Sequence, residues 1–406
     1  MRKTFTIYLT IAILSAGVFS CGEKQGGEPT LPEERPVISI YPENPFYWDY
    51  DGKPTLLIGG SVEDNLFQIP DLKEHLDLLV SAGGNYLRCT MSSRDRGNDK
   101  PYEKVNGLYD LNRPDPSYWN KFRDFLRFPC ERDIVIQVEL WATYDFYNSP
   151  GGWAENVFNP ANNSNYTPEV SQLPEVIDHT AQLKINPFFE TVPQINDNEP
   201  VLKFQKMFID RILSYNVEGV RQQDHATHPF LDRSKAANTI NAPELYDYVD
   251  VSNNNAQNGE VHYLSALYVR NRVEETGIIR PVNNVKIYGG TIYEDYTRDW
   301  AGSYKDGEER FWRDVFAGHA SVRFHRPPYG HGLSPVAQHH IRSMRMLTDS
   351  LDFFNHVPAN ELLTERESNE AFCLASGDRD YAVYFPGRGG VMLSVGRMDQ
   401  KKIARI

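Results

Sequence analysis

The feature that most constrains this chain is the alternation of short apolar runs with stretches that carry apolar residues at helical spacing. "TLLIGG" (55–60) is followed by Leu72, Leu76 and Leu79 on one helical face, a stop at Gly83-Gly84, and then "NYLRCTM" (85–91). Asp115-Pro116 opens a second helix with Trp119, Phe122 and Leu126 on one face, expected to break at Pro129, and "DIVIQVEL" (133–140) follows. Further on, "YDYVDVS" (246–252), "VNNVKIYGG" (282–290) and "SVRFH" (321–325) read as strands. Helical patterns separate them, the clearest at 307–317, and a last helix opens at Ser334-Pro335. Strands that alternate with helices imply a parallel sheet. This many units, with no phosphate-binding glycine fingerprint after the first strand, predict an α/β (β/α)8 TIM-type barrel and not an open sheet. A chain of 406 residues that is 40% hydrophobic can bury such a domain and carry a small appendage.

The alternation fails in one place. "FIDRILSYNVEGVRQQDHATHPF" (208–230) runs from a helix into a polar, His-rich loop where a hydrophobic strand is due. Between Tyr215 and Glu244 lie 28 residues, and a single βαβ unit takes about 30 or more. Only "NVEGV" has strand character there, so the barrel is expected to be incomplete around its fourth and fifth strands. The long excursion from about Ala142 to Pro200 has the length of a functional loop. Past Glu370, "AFCLASGDRDYAVYFPGRGGVMLSVG" alternates as a hairpin with Gly-Arg-Gly-Gly at its turn. The expected division is therefore a barrel over 38–358 and a small β-element, a partial β-sandwich, over 359–406.

The first twenty residues, with Arg2 and Lys3 before an apolar stretch through Val18, read as a signal peptide. Val18-Phe19-Ser20-Cys21-Gly22 resembles a loose bacterial lipobox, which makes Cys21 the expected lipidation site and 21–37 a flexible tether. The expected location is the cell envelope, lipid-anchored at the outer membrane or in the periplasm. A formal charge of -13 and the lack of a basic stripe argue against nucleic acid and anionic lipid as partners. Membrane contact is thus expected through the anchor alone. Cys89, Cys130 and Cys373 are too widely spaced for a metal pattern or a disulfide framework. His225 and His228 read as loop residues, the adjacent His339 and His340 as helix-surface residues. No metal and no cofactor are expected.

Side chains alternate along a strand, so residues of one parity share a face. The predicted strands carry polar groups on a single parity: Arg88 and Thr90, Gln137 and Glu139, Asp250 and Ser252, Lys286 and Tyr288, Arg323 and His325. In a parallel barrel this set faces inward and its members nearest the strand C-termini open onto one mouth. Aromatic residues accumulate beyond the same strand ends, among them Trp141, Tyr144, Trp153 and Tyr329. Aromatic faces stack on sugar rings, and carboxylate, Arg, Asn and His groups bind hydroxyls. A glycan site over Arg88, Trp141, Tyr144, Asn254, Tyr288, His325 and Arg326 follows. The alternative is an interior network in which Arg88, Lys286 and Arg323 balance Glu139 and Asp250.

"NPFYWDYDGKPTLLIGGS", "VNNVKIYGG", "GEERFWRDVFAGHASVRFHRPPYGHGLS" and "IRSMRMLTDSLDFF" resemble the glycoside-hydrolase-like TIM-barrel lipoproteins of gut Bacteroidetes, related to the apiosidase-like group, over roughly residues 40–385. The resemblance implies a secreted hydrolase of plant or host glycans with a small β-sandwich after the barrel. It also implies an acid/base carboxylate at the end of the fourth strand, often as Asn-Glu, and a nucleophile at the end of the seventh, carried here to Glu294. No Asn-Glu pair follows "NVEGV". Two carboxylates drawn from Glu139, Asp224 and Glu294 are the candidate catalytic pair, to stand about 5–5.5 Å apart for retention or about 6.5–9.5 Å for inversion. A non-catalytic carbohydrate-binding or scaffold lipoprotein, derived from a hydrolase that lost its acid/base segment, is the other reading.

Overall fold

The computed structural model describes residues 38–139, 145, 152–165, 214–216, 240, 241, 243, 247–251, 257–289, 301–377 and 380–395, with the side chains of Glu139, Trp153 and 214–216 outside the description. The chain opens with three antiparallel strands, β1 (Ile38–Ile40), β2 (Trp48–Tyr50) and β3 (Lys53–Thr55). Then β4 (Leu57–Gly60), α1 (Leu72–Ser81) and β5 (Tyr86–Thr90) form the first parallel unit. The hairpin β6 (Tyr102–Val105) and β7 (Leu108–Pro114) projects before α2 (Pro116–Cys130) and β8 (Val135–Glu139). A short helix α3 (Gly152–Glu155), β9 (Ser214–Asn216) and β10 (Tyr248–Asp250) follow. Next come α4 (Gly259–Glu275), β11 (Val282–Ile287), α5 (Tyr304–Phe316), β12 (Ser321–Phe324) and α6 (Pro335–Ser350).

Seven of these strands form one parallel sheet in the order β8-β5-β4-β12-β11-β10-β9. Five strand spacings separate β8 from β10, about 24 Å in a flat sheet. Yet Gln137 Nε2 on β8 donates to Asp250 Oδ2 on β10 at 2.8 Å. The sheet is therefore rolled so that its two flanks face each other, with inward side chains meeting across the interior. Among the described residues β8 and β9 are its unjoined edges, one strand short of an eight-stranded circuit. This is the incomplete (β/α)8 barrel that the interrupted alternation predicts. The strand in the short segment is Ser214–Asn216, which overlaps "NVEGV" only at Asn216.

The helices form where their apolar spacing requires. Leu72, Leu76 and Leu79 of α1 are all buried, and α5 is started by a capping box between Ser303 and Asp306. Its Phe311 stacks on Phe324 of β12 with centroids 4.6 Å apart. Two expectations need correction. Trp119, Phe122 and Leu126 of α2 are only partly buried; its deep residues are Tyr118, Phe125 and Phe128. The helix is rotated because Trp119 Nε1 reaches Pro101 O at 2.8 Å and so lies at the rim. Pro129 does not break α2 but sits in its last turn.

The sheet β1–β3 stoppers the barrel's N-terminal end. Trp48 donates from Nε1 to Asn283 Oδ1 at 3.1 Å and packs edge-on against Tyr248, centroids 5.1 Å apart. Both partners stand at the N-terminal ends of β11 and β10, so the opposite mouth is the open one. After α6, β13 (Val357–Pro358), β14 (Leu363–Thr364), β15 (Phe372–Ser376), β16 (Asp380–Tyr384) and β17 (Met392–Leu393) make the small β-element. Its hairpin turns just after Ser376, at Gly377, and not at Gly387-Arg388-Gly389-Gly390 as the sequence suggests; that segment leads to β17, which pairs with β14.

Candidate functional site at the open mouth

The mouth is organised around Asp64, four residues past the end of β4. Its Oδ1 accepts from Arg88 Nη1 at 2.7 Å, and its Oδ2 accepts from Arg94 Nη2 at 3.0 Å and Arg326 Nε at 3.2 Å. His325 Nδ1 lies 3.7 Å from Oδ1. Arg94 also donates to Asp145 at 2.6 Å, on the excursion after β8, and Arg326 Nη1 donates to Glu63 at 2.9 Å. One carboxylate thus ties together the chain ends beyond β4, β5 and β12, and through Arg94 the excursion beyond β8.

A loop must fold back tightly after β12 to deliver Arg326. The Gly332 amide donates to His325 O at 2.7 Å, and a Cβ on Gly60 would stand 2.2 Å from Gly332 O. Gly332 itself has φ +58, the left-handed region that glycine enters without penalty. Side chains at either position would push the loop off the mouth.

Burial alone would raise the Asp64 carboxyl, but the groups at His325, Arg88, Lys286 and Arg94 outweigh it and hold the carboxyl well below its ordinary range. His325 is neutral. Burial pushes its imidazole well below the ordinary value; Asp64 opposes this, and Lys286, Arg323 and Arg326 add to the lowering. The imidazole lowers the Asp64 carboxyl only insofar as it is protonated, so the lasting counter-charge comes from Arg88, Arg94 and Lys286. Glu63 behaves differently: burial raises its carboxyl and Asp95 and Asp64 add to this, with Arg326 and Arg94 opposing.

Beneath this layer the interior is also polar. Tyr86 donates to Gln137 at 2.6 Å, Gln137 to Asp250, and Arg323 Nη1 to Val285 O at 2.7 Å, with Nη2 on Ser61 Oγ. The Tyr288 ring lies on the His325 imidazole, centroids 4.2 Å apart at 26°. The mouth thus offers hydrogen-bond donors and acceptors of both charges beside an aromatic pair, the mixture that binds polyhydroxylated ligands.

Of the sequence-derived residues, Arg88, Tyr288, His325 and Arg326 come together here. Arg88 is buried and supports the mouth from beneath. Glu139 ends β8, its backbone paired with Thr90, and its side chain is outside the description. Trp141, Tyr144, Asp224, Asn254, Glu294 and Cys21 all lie outside the described residues. Asp64, Glu63, Arg94 and Asp145 are absent from the sequence reading. For Glu63 and Asp64 the signal was present in "GGSVED", two consecutive acids just past a strand end.

No protein-family model matches this sequence, and no curated protein does. Solved structures do match. A candidate glycoside hydrolase from Bacteroides vulgatus ATCC 8482 aligns with a TM-score of 0.50 at 12% identity, over 86% of this chain and 67% of that one. A glycoside hydrolase family 5 protein from the same organism aligns at 0.47 and 12% identity, over 84% of this chain and 79% of its own. A family 5 mannosidase from Rhizomucor miehei aligns at 0.48 and 10% identity, over 77% and 99%. At such identities the first of these bears on fold alone, which is glycoside-hydrolase-like.

Proposed function

We propose that this chain is a glycoside hydrolase that takes a glycan at the open mouth of the barrel. The observation that carries the reading is the Asp64 cluster, with Arg88, Arg94, Arg326, His325 and Tyr288 gathered where a parallel barrel binds its ligand. Arg326 meets ligand hydroxyls at the rim, the buried Tyr288–His325 stack braces it from beneath, and Trp141, Tyr144 and Asn254 are further contacts from the flanking segments. Two carboxylates from Glu139, Asp224 and Glu294 supply the acid and the nucleophile or base. Asp64 does not join them: held ionised, it has no proton to give as the acid, and both its oxygens are already engaged by Arg88, Arg94 and Arg326, which leaves it a poor nucleophile or base. The mannosidases among the structural relatives make manno-oligosaccharides a sensible first substrate to assay.

A second reading is favoured by one observation, the lack of an Asn-Glu after "NVEGV" in a segment too short for two strands and a helix. In that case the mouth binds glycan without cleaving it. Assaying the full chain on a panel of oligosaccharides, with Glu139→Gln, Asp224→Asn and Glu294→Gln beside it, separates the two. Turnover abolished by two of the three substitutions supports the hydrolase. Binding without turnover on any member selects the binding protein. Lipid anchoring at Cys21 belongs to the same proposal, and metabolic palmitate labelling that survives Cys21→Ala would refute it.

A further inference from the structure

Within the Asp64 cluster, exposure separates the members. The side chains of Arg88, Arg94 and Asp64 are 1%, 7% and 7% exposed, whereas Arg326 is 20% and Glu63 36% exposed. Only the last two reach solvent substantially, and they are already joined, with Arg326 Nη1 on Glu63 Oε2 at 2.9 Å. Arg326 Nε is fixed on Asp64, so the guanidinium plane is held at two of its three nitrogens. Among the described residues Nη2 of Arg326 and Oε1 of Glu63 have no hydrogen-bond partner. A pinned donor therefore stands beside a pinned acceptor at the rim.

We propose that Glu63 and Arg326 form a subsite for two neighbouring hydroxyls of a neutral sugar residue, one hydroxyl donating to Glu63 Oε1 and the other accepting from Arg326 Nη2. The inference rests on the glycan reading above and narrows it to substrate class. A vicinal diol supplies one donor and one acceptor, matching the pair. The carboxylate of a uronate, or a sulfate ester, offers only acceptors; a uronate residue keeps its ring hydroxyls, but engaging them here brings its charge toward Glu63 and the negative field to which Asp95 adds, so acidic glycans are disfavoured. Because Asp64 fixes Arg326 before any ligand arrives, little side-chain ordering remains to be done on binding.

The test is isothermal titration of the full chain with mannohexaose, cellohexaose, xylohexaose and galactohexaose, and with hexagalacturonide, on the wild type, Glu63→Gln and Arg326→Lys. Thermal unfolding serves as the fold check. The subsite predicts that at least one neutral hexaose binds, that hexagalacturonide does not, and that each variant weakens the neutral ligand about tenfold or more, as expected for a hydrogen bond to a charged group. Preferred binding of hexagalacturonide overturns the subsite and leaves the glycan reading standing. So does a neutral hexaose whose affinity changes less than twofold in both folded variants. A folded wild type that binds none of the five overturns both.

Discussion

Burying Asp64 among guanidinium groups has a cost that only its partners offset, so removing its charge leaves them uncompensated. Asp64→Asn is expected to lower unfolding free energy by about 3–5 kcal/mol, the range for breaking a buried ion pair, measured in urea at neutral pH. The Asp64 pKa is depressed in the folded state. Its contribution is therefore present above the unfolded value near 3.9 and is lost as pH falls through the folded value, so Asp64→Asn should flatten the acid limb of the stability profile below about pH 4. Asp314 has the opposite sign. Burial pushes its carboxyl up to about 7 against the Asn284 hydrogen bond and Arg313 and Arg310. His262 and His319 approach it at 3.8 and 3.6 Å, yet burial and nearby arginines pull both imidazoles down, so they are neutral neighbours and not ion-pair partners. Protonated Asp314 is the folded form, and the stability it brings is full below about pH 4 and lost as pH rises to about 7, at about 1.4 kcal/mol per pH unit. Asp314→Asn should match the wild type below about pH 4 and exceed it at pH 8; a variant less stable at pH 8 would contradict this. Period two made Arg88, Lys286, Tyr288, Arg323 and His325 legible as one inward set. Glu63 and Asp64 were not, because β4 ends in Gly59-Gly60 and has no polar side chain to point the way. Asn284 was hidden by the register shift between it and Ile287, which turns its side chain out to Asp314 at 2.6 Å.

At the scale of elements, β2 and α5 make separable predictions. Trp48 fills the closed end of the barrel, so Trp48→Ala should cost about 3–5 kcal/mol by denaturant unfolding. Oligosaccharide affinity of the folded fraction should stay the same, because the plug and the mouth are at opposite ends. Ser303 Oγ accepts from the Asp306 amide and the Ser303 amide donates to the Asp306 carboxylate; Ser303→Ala should remove about 1 kcal/mol. Helix starts at Asp115-Pro116 and Ser334-Pro335 were readable because capping is local chemistry. The face of α2 was not, since Trp119 Nε1 satisfies itself on Pro101 and turns the helix. The C-terminal hairpin misled for a related reason: Gly387, Arg388, Gly389 and Gly390 look like a tight turn, but β15 and β16 reverse between Ser376 and Asp380, where Gly377 has positive φ.

For the whole molecule, strand-helix alternation was enough to predict a parallel barrel, and counting residues between Tyr215 and Glu244 was enough to predict that it is incomplete. Which ends of the chain meet at the mouth was beyond that reading. It depends on a long-range contact, Arg94 with Asp145, and on a loop whose path is fixed where Gly332, far from Asp64 in sequence, meets Gly60. The chain carries a formal charge of -13, but the mouth balances its own: Asp64, Glu63 and Asp145 against Arg88, Arg94 and Arg326. Binding of a neutral oligosaccharide there should accordingly change little between low and moderate salt, whereas a ligand held by net charge would weaken steeply. The central claim, that a glycan is held at this mouth, is tested most directly by amide hydrogen exchange with and without the tightest-binding oligosaccharide. Protection confined to 61–65, 91–96 and 325–332 is the predicted result; protection at 46–50 or in 357–395, with none at the mouth, would contradict it.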